Sequence, residues 1–246
     1  MKENRRAFLS KTLPMGLLPV FVKLDDESAP EGSYTILFQG DSITDGNRTR
    51  NNDWNHVMGH GFAFSISSRL WADHPDRGFH FFNRGISGNK VVDLAGRWQK
   101  EALDLKPDLV SILVGINDIS AYLKGNEAMS AENYEKDYRE LLKRTVDALP
   151  GVQLVLCEPF ILKVGGVAEK WEAYLSETQK RQAVVRKLAA EFNAVFLGFQ
   201  QVFDQALKKA PAEYWIWDGI HPMPAGHELM AREWIRAVGR KLKFIR

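Results

Sequence analysis

The chain has one cysteine, Cys157, so no disulfide can form within it. That cysteine sits in the apolar run VQLVLC, the setting of a small buried residue and not of a reactive thiol. An excess of charge is also missing. The 33 Lys and Arg nearly balance 31 Asp and Glu, for a net +2, and the basic residues are scattered among acids. A stripe for nucleic acid is therefore not expected. No interior repeat, low-complexity stretch or linker breaks the sequence. What remains is the profile of a soluble globular protein: 246 residues, 45% hydrophobic and 26% charged. That length accommodates one large domain, or at most two.

The N-terminus differs from the rest. MKENRRAFLSK is basic, TLPMGLLPVFV is apolar, and KLDDESAPEGS is acidic and loop-like. The apolar run is too short to span a bilayer and contains Pro14 and Pro19, so stable membrane insertion is not expected. Basic, apolar, then polar is the order of an export signal. Arg5-Arg6 followed by Phe8-Leu9 resembles the twin-arginine type, although no clear small-x-small cleavage site follows. The expectation is an export signal and linker over residues 1–32, with a periplasmic or extracellular product. The alternative is a ragged N-terminus on a cytoplasmic protein. The folded domain is expected over residues 33–246.

From Ser33 onward, apolar strand-like runs alternate with segments of helical period. YTILF, FHFFN, DLVSILVG, VQLVLC and AVFLG read as five strands. DLVSILVG is nearly continuous in apolar residues, as a strand buried on both faces should be. Between the strands lie amphipathic segments such as NYEKDYRELLKRTVDAL, closed by Pro150-Gly151. MPAGHELMAREWIRAVGRKL reads as a last helix. Strands that alternate with helices at this spacing imply right-handed βαβ units. The product is an α/β protein with a parallel sheet and helices on both faces.

In such sheets ligands bind beyond the carboxyl ends of the strands. The loops there are GDSITDGN after the first strand, RGISGN after the second, and GINDI after the third. All three are polar and contain glycine, and all three fall on one edge of the sheet. Ser42 is a candidate nucleophile in the first. A serine needs a base, and the base needs an orienting group. WDGIHP supplies Asp218 and His221, three residues apart just before the last helix. In a turn, that spacing lets the carboxylate reach Nδ1 and leaves Nε2 free. Acyl transfer also needs hydrogen-bond donors for a developing oxyanion. The backbone N–H groups of Ser42 and Gly88 and the Asn117 amide are candidates. Each of these residues, taken singly, also suits an ordinary turn or cap. Asp41, Asp45 and Asp118 read as residues of that kind, with Asp41 bracing the loop.

In combination these blocks resemble the SGNH, or GDSL, hydrolases. GDSIT looks like the first block of that family, GISGN the block with the oxyanion glycine, GIND the block with the oxyanion asparagine, and DGIHP the D-x-x-H block. The resemblance implies a flavodoxin-like three-layer α/β/α sandwich with a central five-stranded parallel sheet. It implies Ser42 as nucleophile, His221 as base, Asp218 as its orienter, and Ser42, Gly88 and Asn117 as the oxyanion hole. The frame here is G-x-S-x-T, not the G-x-S-x-G elbow of the α/β-hydrolases. Neither a metal nor an organic cofactor is expected. His56 and His60 lack the H-E-x-x-H pattern and a third ligand.

The stretch from NRGISGNKVVDLAGRWQ to VGIND, with WDGIHPMPAGH, is similar to the family's xylan acetylesterase branch. The implied substrate is an acetylated xylo-oligosaccharide or a related plant polysaccharide. Trp215, Trp217 and Trp54 are candidate stacking faces for sugar rings, with core packing as the other reading. Arg48 and Arg50 either meet an acidic sugar or are solvated charges. Self-association, which the resemblance also brings, is left open. The alternatives are a lysophospholipase or thioesterase on the same fold, and a carbohydrate-binding relative without turnover.

Overall fold

The computed structural model describes residues 33–245 except Asn52 and Trp54, and leaves the Phe244 side chain undescribed. The expected export signal lies outside the described residues. The chain runs β1 (Tyr34–Gly40), α1 (Ser42–Asp45), α2 (Phe62–Asp73), β2 (Phe79–Asn83), α3 (Val91–Trp98), β3 (Leu109–Leu113), α4 (Ile116–Tyr122) and α5 (Ala131–Ala148). It continues through β4 (Gln153–Cys157), α6 (Gly165–Ala168), α7 (Trp171–Glu191), β5 (Val195–Leu197), α8 (Phe199–Ala206), α9 (Ala212–Trp215) and α10 (Pro224–Lys241).

The five strands form one parallel sheet in the order β2-β1-β3-β4-β5. This is the flavodoxin-like order, in which the chain winds first to one side of β1 and then to the other. Side chains alternate across the sheet because the strand period is two. Ile36 and Phe38 of β1 enter one core with Phe62, Phe199, Phe203 and Trp234, from α2, α8 and α10. Leu37 enters the other core with Trp98, Tyr134, Tyr138 and Leu188, from α3, α5 and α7. The result is a three-layer α/β/α sandwich. All five residues of β3 are buried, as its apolar run requires. Removing each of its four apolar side chains from water contributes roughly 1.5–3 kcal/mol.

The two largest buried indoles carry a polar N–H that needs an acceptor. Trp234 donates to Ser111 Oγ at 3.0 Å and Trp98 to Thr145 Oγ1 at 2.9 Å. Those bonds tie α10 to β3 and α3 to α5. Cys157 is fully buried in the first core, and burial pushes its thiol well above the ordinary range. Its position is that of a packing residue.

The elements depart from the sequence pattern in several places. After Trp98 the helix widens into a π-helical turn, Gln99–Leu103, so the segment is not one regular helix. Helix α7 reaches back to Trp171, because Trp171 and Leu175 pack on a small satellite cluster with Ile119 and Ile161. Helix α8 was not anticipated, although Phe199, Val202, Phe203 and Ala206 carry the helical period.

Candidate active site

The site lies at the carboxyl ends of β1, β2 and β3, where the winding direction changes. Asp41 follows β1 and caps α1, accepting the Ile43 N–H at 3.0 Å. Ser42 is thereby the first residue of that short helix, with its side chain clear of the strand. The β2 loop approaches from one side. A Cβ at Gly85 would overlap the Asp45 backbone nitrogen, so this loop can rest on α1 only as glycine. On the other side Gly115 turns the chain from β3 into α4, which carries Asn117 and Asp118. The turn before α10 is closed by an antiparallel bridge between Ile216 and Pro222, and it presents Asp218 and His221.

These elements bring Ser42 against an Asp/His pair far along the chain, with His221 179 positions away. Ser42 Oγ lies 2.8 Å from His221 Nε2, and His221 Nδ1 lies 2.6 Å from Asp218 Oδ2. The second oxygen of Asp218 accepts the backbone N–H groups of Ile220 at 2.9 Å and His221 at 2.7 Å. Asp218 therefore cannot swing away without losing two backbone partners. The hydrogen bond to Asp218 raises the His221 pKa above the ordinary imidazole value. Burial opposes this, and the charges of Asp218 and Asp41 add to it. For Asp218, burial pushes upward, but the bonds from the imidazole and the two backbone amides prevail and hold its pKa low. Such a chain can draw a proton from the hydroxyl while the carboxylate stabilises the imidazolium.

Donors stand nearby. Ser42 and Gly88 engage their backbone N–H groups in no hydrogen bond among the described residues. Gly88 has φ +86°, and a Cβ there would meet nothing within 4 Å. The glycine is needed for its backbone angle and faces open space. The Asn117 amide donates to Asn89 O at 3.1 Å, which leaves its second N–H for a ligand. Asn117 does not cap its own helix.

Two carboxyls lie under this surface. Burial raises Asp41 to about 7, against the Ile43 N–H bond and the His221 charge, which lower it. Burial raises Asp118 to about 6, against its bond from the Val91 N–H at 3.3 Å. Asp118 thus ties the start of α3 to α4, where the sequence suggested a turn or cap residue.

The remaining candidates fall apart from this group in different ways. Trp217 is exposed, and its ring stacks over His221 at 6.4 Å and 25°. Trp215 is buried in the core with its indole N–H on Ala210 O at 3.2 Å, so it offers no free face. Core packing is the reading that its environment supports. Trp54 lies outside the described residues. Arg48 is buried and donates to Gly85 O at 3.0 Å, and Arg50 clasps Asp45 with both terminal nitrogens. Neither arginine is a freely solvated charge. His56 pairs with Asp53 at 2.6 Å on the surface. His227, which the sequence reading passed over, is mostly buried, with its Nδ1 accepting the Phe62 N–H at 3.1 Å. Its only sequence signal was a second histidine in HPMPAGH, directly after Gly226.

This fold, with its polar loops gathered at the carboxyl edge of the sheet, is that of a class of acyl hydrolases. Residues 38–229 match the model of the GDSL-like lipase/acylhydrolase family. The chain is 33% identical over 211 residues to an acetylxylan esterase of Geobacillus stearothermophilus, covering 83% of this chain and 93% of that one. In structure it is similar to a Parabacteroides merdae protein described as GDSL-like lipase, with TM-score 0.81, 42% identity, and 84% and 96% of the two chains covered. It is also similar to Axe2, the acetylxylan esterase of G. stearothermophilus, with TM-score 0.74, 32% identity, and 87% and 98% covered. The chain belongs to the GDSL, or SGNH, hydrolase family, in its xylan acetylesterase branch, and is a carboxylic ester hydrolase.

Proposed function

We propose that the enzyme removes acetyl groups from acetylated xylo-oligosaccharides or related plant polysaccharides, with Ser42, His221 and Asp218 as its catalytic triad. The observation that carries this reading is the unbroken hydrogen-bonded chain from Ser42 Oγ through the imidazole to Asp218, at 2.8 and 2.6 Å. In solved Axe2 structures, variants called catalytic mutants replace one serine, one aspartate and one histidine. That Asp and His are three positions apart, as Asp218 and His221 are here, which supports the same assignment.

The reaction runs in two steps. Ser42 Oγ attacks the ester carbonyl carbon as its proton passes to His221 Nε2. The N–H groups of Ser42, Gly88 and Asn117 receive the oxyanion. The tetrahedral intermediate collapses, and the imidazolium protonates the departing sugar hydroxyl. Water then gives a proton to the same nitrogen as its oxygen attacks the acyl-enzyme carbonyl, and the second tetrahedral intermediate collapses to acetate as the imidazolium returns the proton to Ser42 Oγ. Asp218 keeps Nδ1 protonated throughout, so Nε2 is the basic nitrogen. The exposed face of Trp217 is the candidate platform for a sugar ring beside the scissile ester. Residues 1–32 are proposed to direct export, which brings the enzyme to a polymeric substrate outside the cytoplasm.

The test is acetate release from acetylated xylo-oligosaccharides, run beside nitrophenyl esters from acetyl to palmitoyl. Rapid acetate release and a steep fall beyond short acyl chains are expected. A preference for long chains with the sugar untouched would replace this substrate with a lipid or thioester.

A further inference from the structure

The loop after β2 is pinned at nearly every residue. Asn83 Oδ1 accepts the Gly85 N–H at 3.0 Å, and Arg48 Nε donates to Gly85 O at 3.0 Å. Ile86 N–H bonds to Gly40 O at 3.1 Å. Ser87 gives both its N–H and its hydroxyl to Asp45 Oδ2, each at 3.1 Å. Asn89 N–H closes back on Ile86 O, and its side-chain oxygen accepts Arg97 Nε at 2.8 Å. Gly88 alone has no such tie among the described residues. An oxyanion donor needs this situation: an N–H left free, on a backbone that cannot move to avoid charge.

The pin next to Gly88 is Asp45, one helical turn beyond Ser42. It is 3% exposed and accepts from Arg48 N–H, Arg50, and the backbone and hydroxyl of Ser87. A buried carboxylate needs such a full set of partners to remain charged. Charge-assisted bonds are shorter and stronger than neutral ones, so an ionised Asp45 holds Ser87 more firmly than an amide would.

We propose that Asp45 is a positioning residue for catalysis: it fixes Ser87, and through Ser87 the Gly88 N–H, at the oxyanion site beside Ser42. Arg50 is its counter-charge. The residue does not touch substrate. Its effect falls on the transition state, because a misplaced donor weakens only the charge that develops there. This inference rests on the oxyanion role proposed for Gly88.

The test uses the full chain with Asp45→Asn, Arg50→Ala and Ser87→Ala, beside Ser42→Ala. Active sites are titrated with a phosphonylating inhibitor, and kcat and KM are measured on nitrophenyl acetate. Affinity for an arylboronate that forms a tetrahedral adduct with serine is measured as well. For Asp45→Asn we expect kcat per titrated site to fall by roughly 10–100-fold, below the ~10²–10³-fold seen when an oxyanion donor is removed outright. KM should stay within about threefold and boronate affinity should fall with kcat. Ser87→Ala keeps the backbone bond and should lose less, about threefold. Arg50→Ala should lie between them. A kcat per site unchanged in Asp45→Asn, or a loss confined to KM, would overturn the proposal. If Asp45→Asn does not fold, Ser87→Ala and Arg50→Ala decide alone: unchanged kcat and boronate affinity in both would overturn it. An active Ser42→Ala variant would instead remove the triad reading on which the proposal stands.

Discussion

Phe62 at the start of α2 donates its backbone N–H to Nδ1 of His227 on α10, at 3.1 Å. The imidazole must therefore be neutral at that nitrogen. Burial lowers the His227 pKa from 6.5 to about 4, with the nearby His60 and His221 charges adding to the effect. A histidine held neutral in the folded state stabilises above its unfolded pKa of 6.5. That stability is lost as pH falls toward the folded value of about 4, because only the unfolded chain takes up the proton in this window. The contribution is on the order of 3 kcal/mol at most. Asp41, raised to about 7, acts in the opposite sense, favouring the fold below its unfolded pKa and losing that effect as pH rises. The difference between variants isolates the histidine. Asn in place of His227 can offer an oxygen to Phe62 N–H but cannot titrate. Urea unfolding midpoints measured from pH 7 to 4 should fall less for His227→Asn than for the parent enzyme.

Ser42→Ala should abolish ester hydrolysis, with kcat lowered by at least ~10³-fold. Among the described residues the Ser42 side chain bonds only to His221, and the helix is capped by Asp41 instead. The fold should therefore be kept, with an unchanged thermal midpoint and far-ultraviolet spectrum. Near-full activity in this variant would remove the proposed mechanism.

Asp218→Asn should lower kcat by roughly 10⁴-fold, because an amide favours the wrong imidazole tautomer. The pH profile gives a second readout. The base works only when neutral, so activity rises with pH through the His221 pKa. Asp218 raises that pKa above the ordinary value of 6.5. The acid limb of kcat/KM should therefore lie above 6.5 in the parent enzyme and move to lower pH in the residual activity of the variant. A limb that does not move would mean that another group orients His221.

Trp217→Ala should separate sugar binding from chemistry. Trp217 is 61% exposed, and its ring faces His221 with centroids 6.4 Å apart and planes at 25°. An aromatic contact of about 0.5–1.5 kcal/mol corresponds to a rise in KM of roughly 2–12-fold. That rise is expected for acetylated xylo-oligosaccharides, with little change on nitrophenyl acetate. Equal losses on both substrates would assign Trp217 to the support of His221 instead.

Most of the fold was legible because its signals are local. All five strands were visible as apolar runs, and FHFFN matches β2 residue for residue. The alternation of strands with helices then forced the parallel sheet. The blocks around Ser42, Gly88, Asn117 and Asp218 stood out as polar, glycine-containing interruptions after strands. Trp215 was harder. An aromatic two residues from Trp217 looks equivalent in sequence, yet Trp215 ends α9 with its indole N–H on Ala210 O, while Trp217 stands exposed in the turn that follows. Asp45 illustrates the same limit. It reads as an ordinary turn aspartate, because its partner Ser87 is supplied from the neighbouring strand's loop.

The sequence by itself determined the period of each element, the edge of the sheet where the polar loops gather, and the residue types available there. These follow from short-range geometry and from the removal of apolar side chains from water. The tertiary structure decided which groups meet. It put Nε2 of His221 2.8 Å from Ser42 across 179 positions, buried Asp45 against Arg50, and left the Gly88 N–H on a pinned loop without a partner among the described residues. Contacts of that kind arise from the strand order and from how each loop rests on the next, and no local pattern encodes either.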